Sequence, residues 1–246
     1  MSQPWSPSGY IPRDFQSFPA GTYGSTDDQW YGEDWLYPES EWEERFKEQQ
    51  ALQSGLLHLR ERYYDVLKSL NQTNHPLCWA FSTTKAAMYA MAKMGMPEIL
   101  SPWWTAGVSN GWRNQGGWGA QSTKGLAGVG GVLMDACPDF SSRFDTAETR
   151  ALAGKRRVIE WYDGGDNREK NRAILVTSFL RGLAPVCDSN DIGHSMCGAG
   201  LISINPLVWY EDNSWGAIDQ YGPKGLWKRN RIPDGIIVPR VINPAD

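Results

Sequence analysis

Cys78-Trp79-Ala80-Phe81-Ser82-Thr83-Thr84-Lys85-Ala86-Ala87-Met88-Tyr89-Ala90-Met91-Ala92-Lys93 is the stretch that decides the fold. It lies between Pro76 and the stop signal Gly95-Met96-Pro97, is rich in Ala and Met, and carries Lys85 as its sole charge before Lys93, so it reads as a buried helix. Cys78 then stands at the helix N-terminus, where unpaired backbone N–H groups and the positive end of the macrodipole favour a thiolate over a thiol. A cysteine so placed is either a nucleophile or an inert core residue, and its position alone does not choose. The nucleophilic reading requires a base elsewhere in the chain.

Upstream, Ser40 and Glu43 form a capping-box pattern, and Trp42, Phe46, Leu52, Leu56, Leu59, Tyr63, Leu67 and Leu70 recur at mostly helical spacing. One amphipathic helix is expected over residues 40–70, with Gly55 as its weak point and Glu43, Glu44, Lys47, Glu48, Arg60 and Glu61 on a solvated face. Residues 1–39 are rich in Pro and Gly without periodicity, which reads as an extended arm. The arm carries Trp5, Tyr10, Phe15, Phe18, Tyr23, Trp30, Tyr31, Trp35 and Tyr37, too much aromatic surface for a free tail, so it is expected to dock. Downstream, residues 101–131 read as loop, and a third helix is expected over 166–181 with Gly182 as its stop. Short apolar runs at 183–187, 197–204, 207–210, 226–228 and 235–238, bounded by turn residues, read as antiparallel strands. Helices first and strands later make an α+β chain, divided into an arm (1–39), a helix (40–70) and one domain (71–246), with no internal repeat.

Composition excludes several functions. The 246 residues carry a net charge of -4 with 41% hydrophobic and 21% charged content, which describes a globular protein and offers no basic footprint for nucleic acid. No apolar run is long enough to cross a bilayer and no secretory signal is visible, so a cytoplasmic or virion-associated location is expected. Four cysteines without C-x-x-C spacing indicate neither a disulfide framework nor a zinc ribbon. Cys187, His194 and Cys197, separated by six and two residues and lacking a fourth ligand, make a poor metal site, and none is expected. The thirteen Trp fit core anchors, a carbohydrate-facing surface or an interface equally well.

Three histidines make the search for a base short. His58 lies within the amphipathic segment, and His75 precedes Cys78 by one turn. His194 opens an apolar strand, and nineteen residues later Asn213-Ser214-Trp215-Gly216 closes the next one. Adjacent strands would bring His194 and Asn213 together, and a neutral amide there would orient an imidazole toward a thiolate.

Cys78-Trp79-Ala80-Phe81-Ser82, His194 and Asn213-Ser214-Trp215-Gly216, in that order, resemble the papain-like cysteine peptidases. The resemblance runs over about residues 71–231 and implies a two-lobed α+β fold, a helical lobe facing an antiparallel β-barrel-like lobe across a cleft. It implies that Gln72, six residues before Cys78, completes an oxyanion hole with the Cys78 backbone N–H. Leu100-Ser101 and Gln115-Gly116-Gly117-Trp118 resemble the family's Leu-Ser and Gly-Gly stretches, which implies that Gly116 and Gly117 are backbone that pairs with extended substrate; without that context a flexible turn and substrate pairing stand equal. Trp215 would shield the His194–Asn213 contact, and Tyr221-Gly222-Pro223-Lys224-Gly225-Leu226 resembles the segment that follows the Asn-Ser-Trp-Gly motif. Four departures stand beside these matches: Pro76-Leu77 before the nucleophile, His75 where secreted members carry a disulfide cysteine, Gly193 before the histidine, and no match to the family's inhibitory pro-segment.

The resemblance implies an endopeptidase that hydrolyses peptide or protein substrates without metal or organic cofactor, cross-linked cell-wall peptide being one substrate suggested by the Trp content. The alternative is a catalytically silent relative serving as a structural component of a larger assembly such as a virion. The arm has two candidate docking sites, the chain's own cleft and a neighbouring subunit.

Overall fold

A run almost without charge has to be buried, and fifteen residues of the Cys78–Lys93 helix are. The computed structural model describes residues 9–19, 35–53, 55, 57–216 and 225–242, and among these the helix is the third of seven. They are α1 (Trp42–Ala51), α2 (Leu59–Arg62), α3 (Cys78–Lys93), α4 (Pro102–Asn110), α5 (Gly119–Gly128), α6 (Ala147–Ala153) and α7 (Arg168–Leu180). Six strands follow or intervene: β1 (Val158–Asp163), β2 (Val186–Ser189), β3 (His194–Ser203), β4 (Val208–Asp212), β5 (Leu226–Arg229) and β6 (Gly235–Ile242). They form one antiparallel sheet in the order β1-β6-β2-β3-β4-β5, open at both edges. The architecture is therefore α+β as expected, with an open sheet in place of a closed barrel-like lobe.

Three expectations are corrected. The helix expected over 40–70 is two helices: α1 ends at Ala51, Gln53 and Gly55 take positive φ of 44° and 70°, and only Leu59–Arg62 resumes helical form. A left-handed residue breaks the ladder that amphipathic spacing alone would continue. Ser40 does not cap it; it lies in a 3-10 turn (Glu39–Glu41), and Glu41 precedes α1 without a side-chain cap. The stretch read as loop over 101–131 contains α4 and α5. Ser101 caps α4 by accepting from Trp104 N, with Pro102 at the first helical position and Gly111 (φ 69°) at its end, all readable signals. Glycine-rich α5 is stabilised by burial against its neighbours: a Cβ on Gly125 would lie 2.0 Å from Ser109 Oγ. Strand β1 and helix α6 were not expected at all. Leu56, residues 217–224 and most of the arm, including Trp5, Tyr23, Trp30 and Tyr31, lie outside the described residues.

Two apolar clusters flank the sheet. One packs α3, α4 and α5 with Trp79, Trp104 and Leu100; the other packs α1 and α7 with Trp42, Phe179 and Trp209. Among the described residues seven tryptophans, at 35, 42, 79, 103, 104, 161 and 209, are buried, so over half of the chain's thirteen go into the core. The registers align the C-terminal ends of β1, β2 and β4 with the N-terminal ends of β6 and β3: Asp163 opposes Ile237, Asp188 opposes Gly235, and Ser189 opposes His194. One end of the sheet thus collects Asp163, Asp188, His194 and, just past β4, Asn213.

Candidate active site

Cys78 opens α3 after Leu77, which lies outside the helical conformation (φ -119°, ψ 19°) and supplies no side-chain cap. The thiol is fully buried, and burial pushes its pKa up to about 12 despite backbone N–H groups of Ser195, Gly9 and Trp79 directed at it; the Asp188 charge raises it further. Ser195 directly follows His194, so β3 lies against the start of α3. His194 is also buried, and desolvation lowers its pKa to about 4, with the Asn213 side chain opposing and Arg229 reinforcing the shift. Asn213 is near enough to favour the imidazolium, yet neither His194 nitrogen nor Asn213 Oδ1 makes a hydrogen bond of normal geometry. The Trp215 ring covers the imidazole at 4.6 Å between centroids, tilted 31°. Both groups are thus held neutral in this state, a thiol and an imidazole in place of an ion pair.

Gln72 is brought here by a stitch between two loops. Asn71 bridges Trp215, Gln72 N donates to Ser214 O at 2.7 Å, and Gly216 N donates to Leu70 O at 2.9 Å. The Gln72 side chain is buried; its Nε2 donates to His75 O at 2.9 Å and its Oε1 accepts from Ser214 Oγ. Directly behind Asn213, Asp212 accepts from Tyr89 OH at 2.9 Å and faces Lys85 and Arg60 at 3.4 and 3.6 Å, tying the end of β4 to α3.

The cleft is occupied by the chain's own arm. Gly117 N donates to Gly9 O at 2.8 Å, Ile11 N donates to Gly117 O at 3.0 Å, and Tyr10 pairs with Gly117 in parallel. Gly9 passes so close to the loop before Cys78 that a Cβ would sit 1.7 Å from Pro76 O, and a Cβ on Gly116 would meet Gly9 O at 2.5 Å. Only glycine permits either approach. Tyr10 is buried and donates to Asn190 Oδ1 at 2.8 Å. Farther along, Arg13 forms a buried two-pronged ion pair with Asp163, at 2.8 and 2.9 Å, and Nε donates to Phe18 O at 2.7 Å.

Of the residues singled out from sequence, His194, Asn213 and Trp215 lie together, Gln72 is bonded to Ser214 beside them, Cys78 lies against Ser195, and Gly116 and Gly117 meet the arm where it passes Cys78. The zinc alternative does not assemble: Cys187 and Cys197 belong to opposite faces of the sheet, and no cluster of His, Cys, Asp and Glu suited to a metal occurs among the described residues. His58 bridges Gly200, and His75 packs edge-on against Trp103, 5.2 Å between centroids. Sequence reading missed Arg13, Asp163 and Asp188. Asp163 ends an apolar run, Val158-Ile159-Glu160-Trp161-Tyr162, whose strand character was legible; its pairing with Arg13, 150 residues away, was not.

No helix among the described residues is long and apolar enough to cross a membrane. No protein-family model matches the sequence, and no curated protein does. Solved structures do match. Digestive procathepsin L 3 from the larval midgut of Tenebrio molitor superposes with a TM-score of 0.57 at 18% identity over 73% of this chain and 68% of that one. Bromelain from Ananas comosus, solved in complex with the E64 inhibitor, gives 0.57 at 18% identity over 75% and 97%. The ragweed pollen allergen Amb a 11, a cysteine protease in its proform, gives 0.57 at 13% identity over 74% and 65%. At such identities the likeness is one of fold, and the fold of this chain is that of the papain-like cysteine proteases.

Proposed function

We propose that the protein is a cysteine peptidase held latent by its own N-terminal arm. Cys78 Sγ attacks the carbonyl carbon of a bound peptide while its proton passes to His194. The resulting oxyanion is held by the Gln72 amide and the Cys78 backbone N–H, and Asn213 orients the ring under the cover of Trp215. The imidazolium protonates the leaving amine as the C–N bond breaks, leaving a thioester. His194 then takes a proton from water, whose oxygen displaces the sulfur and releases the acid. No group outside the chain is needed for these steps.

The observation that carries this reading is that an extended segment already lies paired with Gly117 and pressed against Cys78. A groove that accepts one extended chain through backbone hydrogen bonds is suited to another. The arm also helps account for the neutral thiol, because Gly9 lies against Cys78 and excludes the water that would stabilise the thiolate. Relatives in fold that were solved as proforms support a latent state.

A peptidyl epoxide probe tests the assignment by mass spectrometry. With the arm displaced, Cys78 should be modified in preference to Cys137, Cys187 and Cys197, and replacing His194 with Ala should remove that preference. Equal modification of all four, or labelling indifferent to His194, would favour a silent relative that keeps the fold.

A further inference from the structure

The part of the cleft farthest from Cys78 along the arm is acidic and built around a cation. Asp163 at the end of β1 and Asp188 near the end of β2 lie at the same end of the sheet, one strand apart across β6. Both are buried, and with Asp234 they face the arm from below: Asp188 and Asp234 are near enough to disfavour ionisation of the Tyr10 phenol. The arm answers this charge with Arg13, whose guanidinium takes both oxygens of Asp163. Asp188 is only half satisfied. Its Oδ2 accepts from Gly119 N at 3.0 Å and its Oδ1 has no hydrogen-bond partner of normal geometry; the Ser195 hydroxyl, which shares a hydrogen bond with Ser82 Oγ at 2.8 Å, is near enough to favour the carboxylate. Desolvation raises the Asp188 pKa to about 6; the Ser195 side chain, the Gly119 N–H and the Arg13 charge oppose the rise, and the Asp163 charge adds to it.

Anchoring the arm accounts for Asp163 while the arm is docked. The Arg13 charge also favours the Asp188 carboxylate, yet Asp188 stays buried with Oδ1 outside any hydrogen bond of normal geometry even with the arm in place. When the arm leaves, Arg13 leaves with it, and the niche loses the guanidinium that neutralises it. We propose that this niche is a specificity site for a basic side chain, so that the substrates are peptides carrying Arg or Lys a few residues from the one that pairs with Gly117. This rests on the peptidase reading, and the arm is its internal mimic: an extended chain paired with Gly117 through residues 9–11 delivers Arg13 to Asp163 two residues farther on. A bidentate carboxylate selects a guanidinium over a neutral amide by geometry as well as charge.

The test uses the full-length Arg13→Ala protein, which removes the arm's guanidinium from Asp163, and the double variant Arg13→Ala/Asp163→Asn, each checked for folding by circular dichroism. Fluorogenic peptides identical except for Arg or Gln, placed in turn at each of four positions on either side of the scissile bond, are assayed for kcat/KM with both. At one position Arg should exceed Gln by about tenfold or more in the single variant, as expected for a charge-assisted pair, and the ratio should fall to near one in the double variant. Hydrolysis without an Arg preference, or with a preference that survives Asp163→Asn, would overturn the inference. If neither variant hydrolyses any peptide, calorimetric binding of the same peptides decides it. A tenfold Arg advantage lost on Asp163→Asn keeps the niche and removes only the peptidase reading, whereas equal binding removes the niche.

Discussion

Substituting Gly9 with Ala perturbs the arm without touching the domain. The added methyl would stand 1.7 Å from Pro76 O and 1.9 Å from its carbonyl carbon, where ordinary contact begins at 3.4 Å. Both atoms are backbone of the loop that leads into α3, which is fixed by bonds from His75 N to Gln72 O and from Leu77 N to His75 O, so the arm has to lift. Lifting breaks the two backbone hydrogen bonds to Gly117, worth about 1 kcal/mol each. It also loosens the seat of the buried Tyr10 ring, whose exposure costs roughly 2 kcal/mol. Docking should weaken by about 3–4 kcal/mol, more than a hundredfold in the docked-to-free ratio. The assay is the rate of Cys78 alkylation by iodoacetamide near neutral pH, read by mass spectrometry. The variant should react at least tenfold faster than the unaltered protein, because rehydration lowers a thiol pKa that burial has pushed up to about 12. Equal rates, with the variant as stable as the parent, would refute the close passage of Gly9 over Pro76 and the latency built on it.

Further outcomes follow from buried charges and close packing. Asp212→Ala strands Lys85 and Arg60 in the core and should cost about 3–5 kcal/mol in denaturant unfolding, whereas a loss below 1 kcal/mol would show that the carbonyls of residues 67 and 68 suffice for both cations. Glu211 is fully buried, and burial raises its pKa to about 8 although Arg229 stands 3.2 Å away. The folded state therefore holds its proton where the unfolded state does not, so this group's contribution to stability is present below the ordinary carboxylate range and lost as pH rises toward 8. Glu211→Gln should lose less stability than the parent between pH 5 and pH 8 in urea unfolding; parallel profiles would contradict the raised pKa. The lowered His194 pKa acts in the opposite sense, favouring the fold above its ordinary value and withdrawing that support as pH falls toward 4, which His194→Gln should abolish in the same measurement. Gly119→Ala brings a methyl within 2.7 Å of Val186 Cγ1 and should cost about 1–3 kcal/mol by crowding the join between α5 and the sheet, a loss that thermal unfolding reads directly.

How far the sequence could be read depended on whether each signal was local. The Cys78 helix, its stop at Gly95, α7 with its Gly182 terminus and the strands around His194 announce themselves through burial pattern and turn residues within a few positions. The break after Ala51 was hinted at by Gly55, but the spacing of apolar residues ran on across it and masked the left-handed Gln53. Helix α5 was hidden because three of its ten residues are Gly, which disfavours a helix unless backbones pack as tightly as Gly125 against Ser109. At the site, the residue types and their order were legible. The electrostatic state was not: Cys78 is buried where Gly9 of the arm reaches it, and His194 beneath the Trp215 ring, covers that come from far along the chain. The aromatic arm was expected to dock, but its register on Gly117 and its anchor at Asp163 are long-range pairings that no periodicity reveals.

Hydrolysis itself tests the central claim most directly. Fluorogenic peptides should be cleaved by the full-length Gly9→Ala protein faster than by the parent, and cleavage should vanish in Gly9→Ala/Cys78→Ala while the circular dichroism spectrum and unfolding midpoint stay those of a folded protein. Cleavage that persists without the Cys78 thiol, or a Gly9→Ala protein that alkylates readily at Cys78 yet cleaves no peptide, would contradict the account.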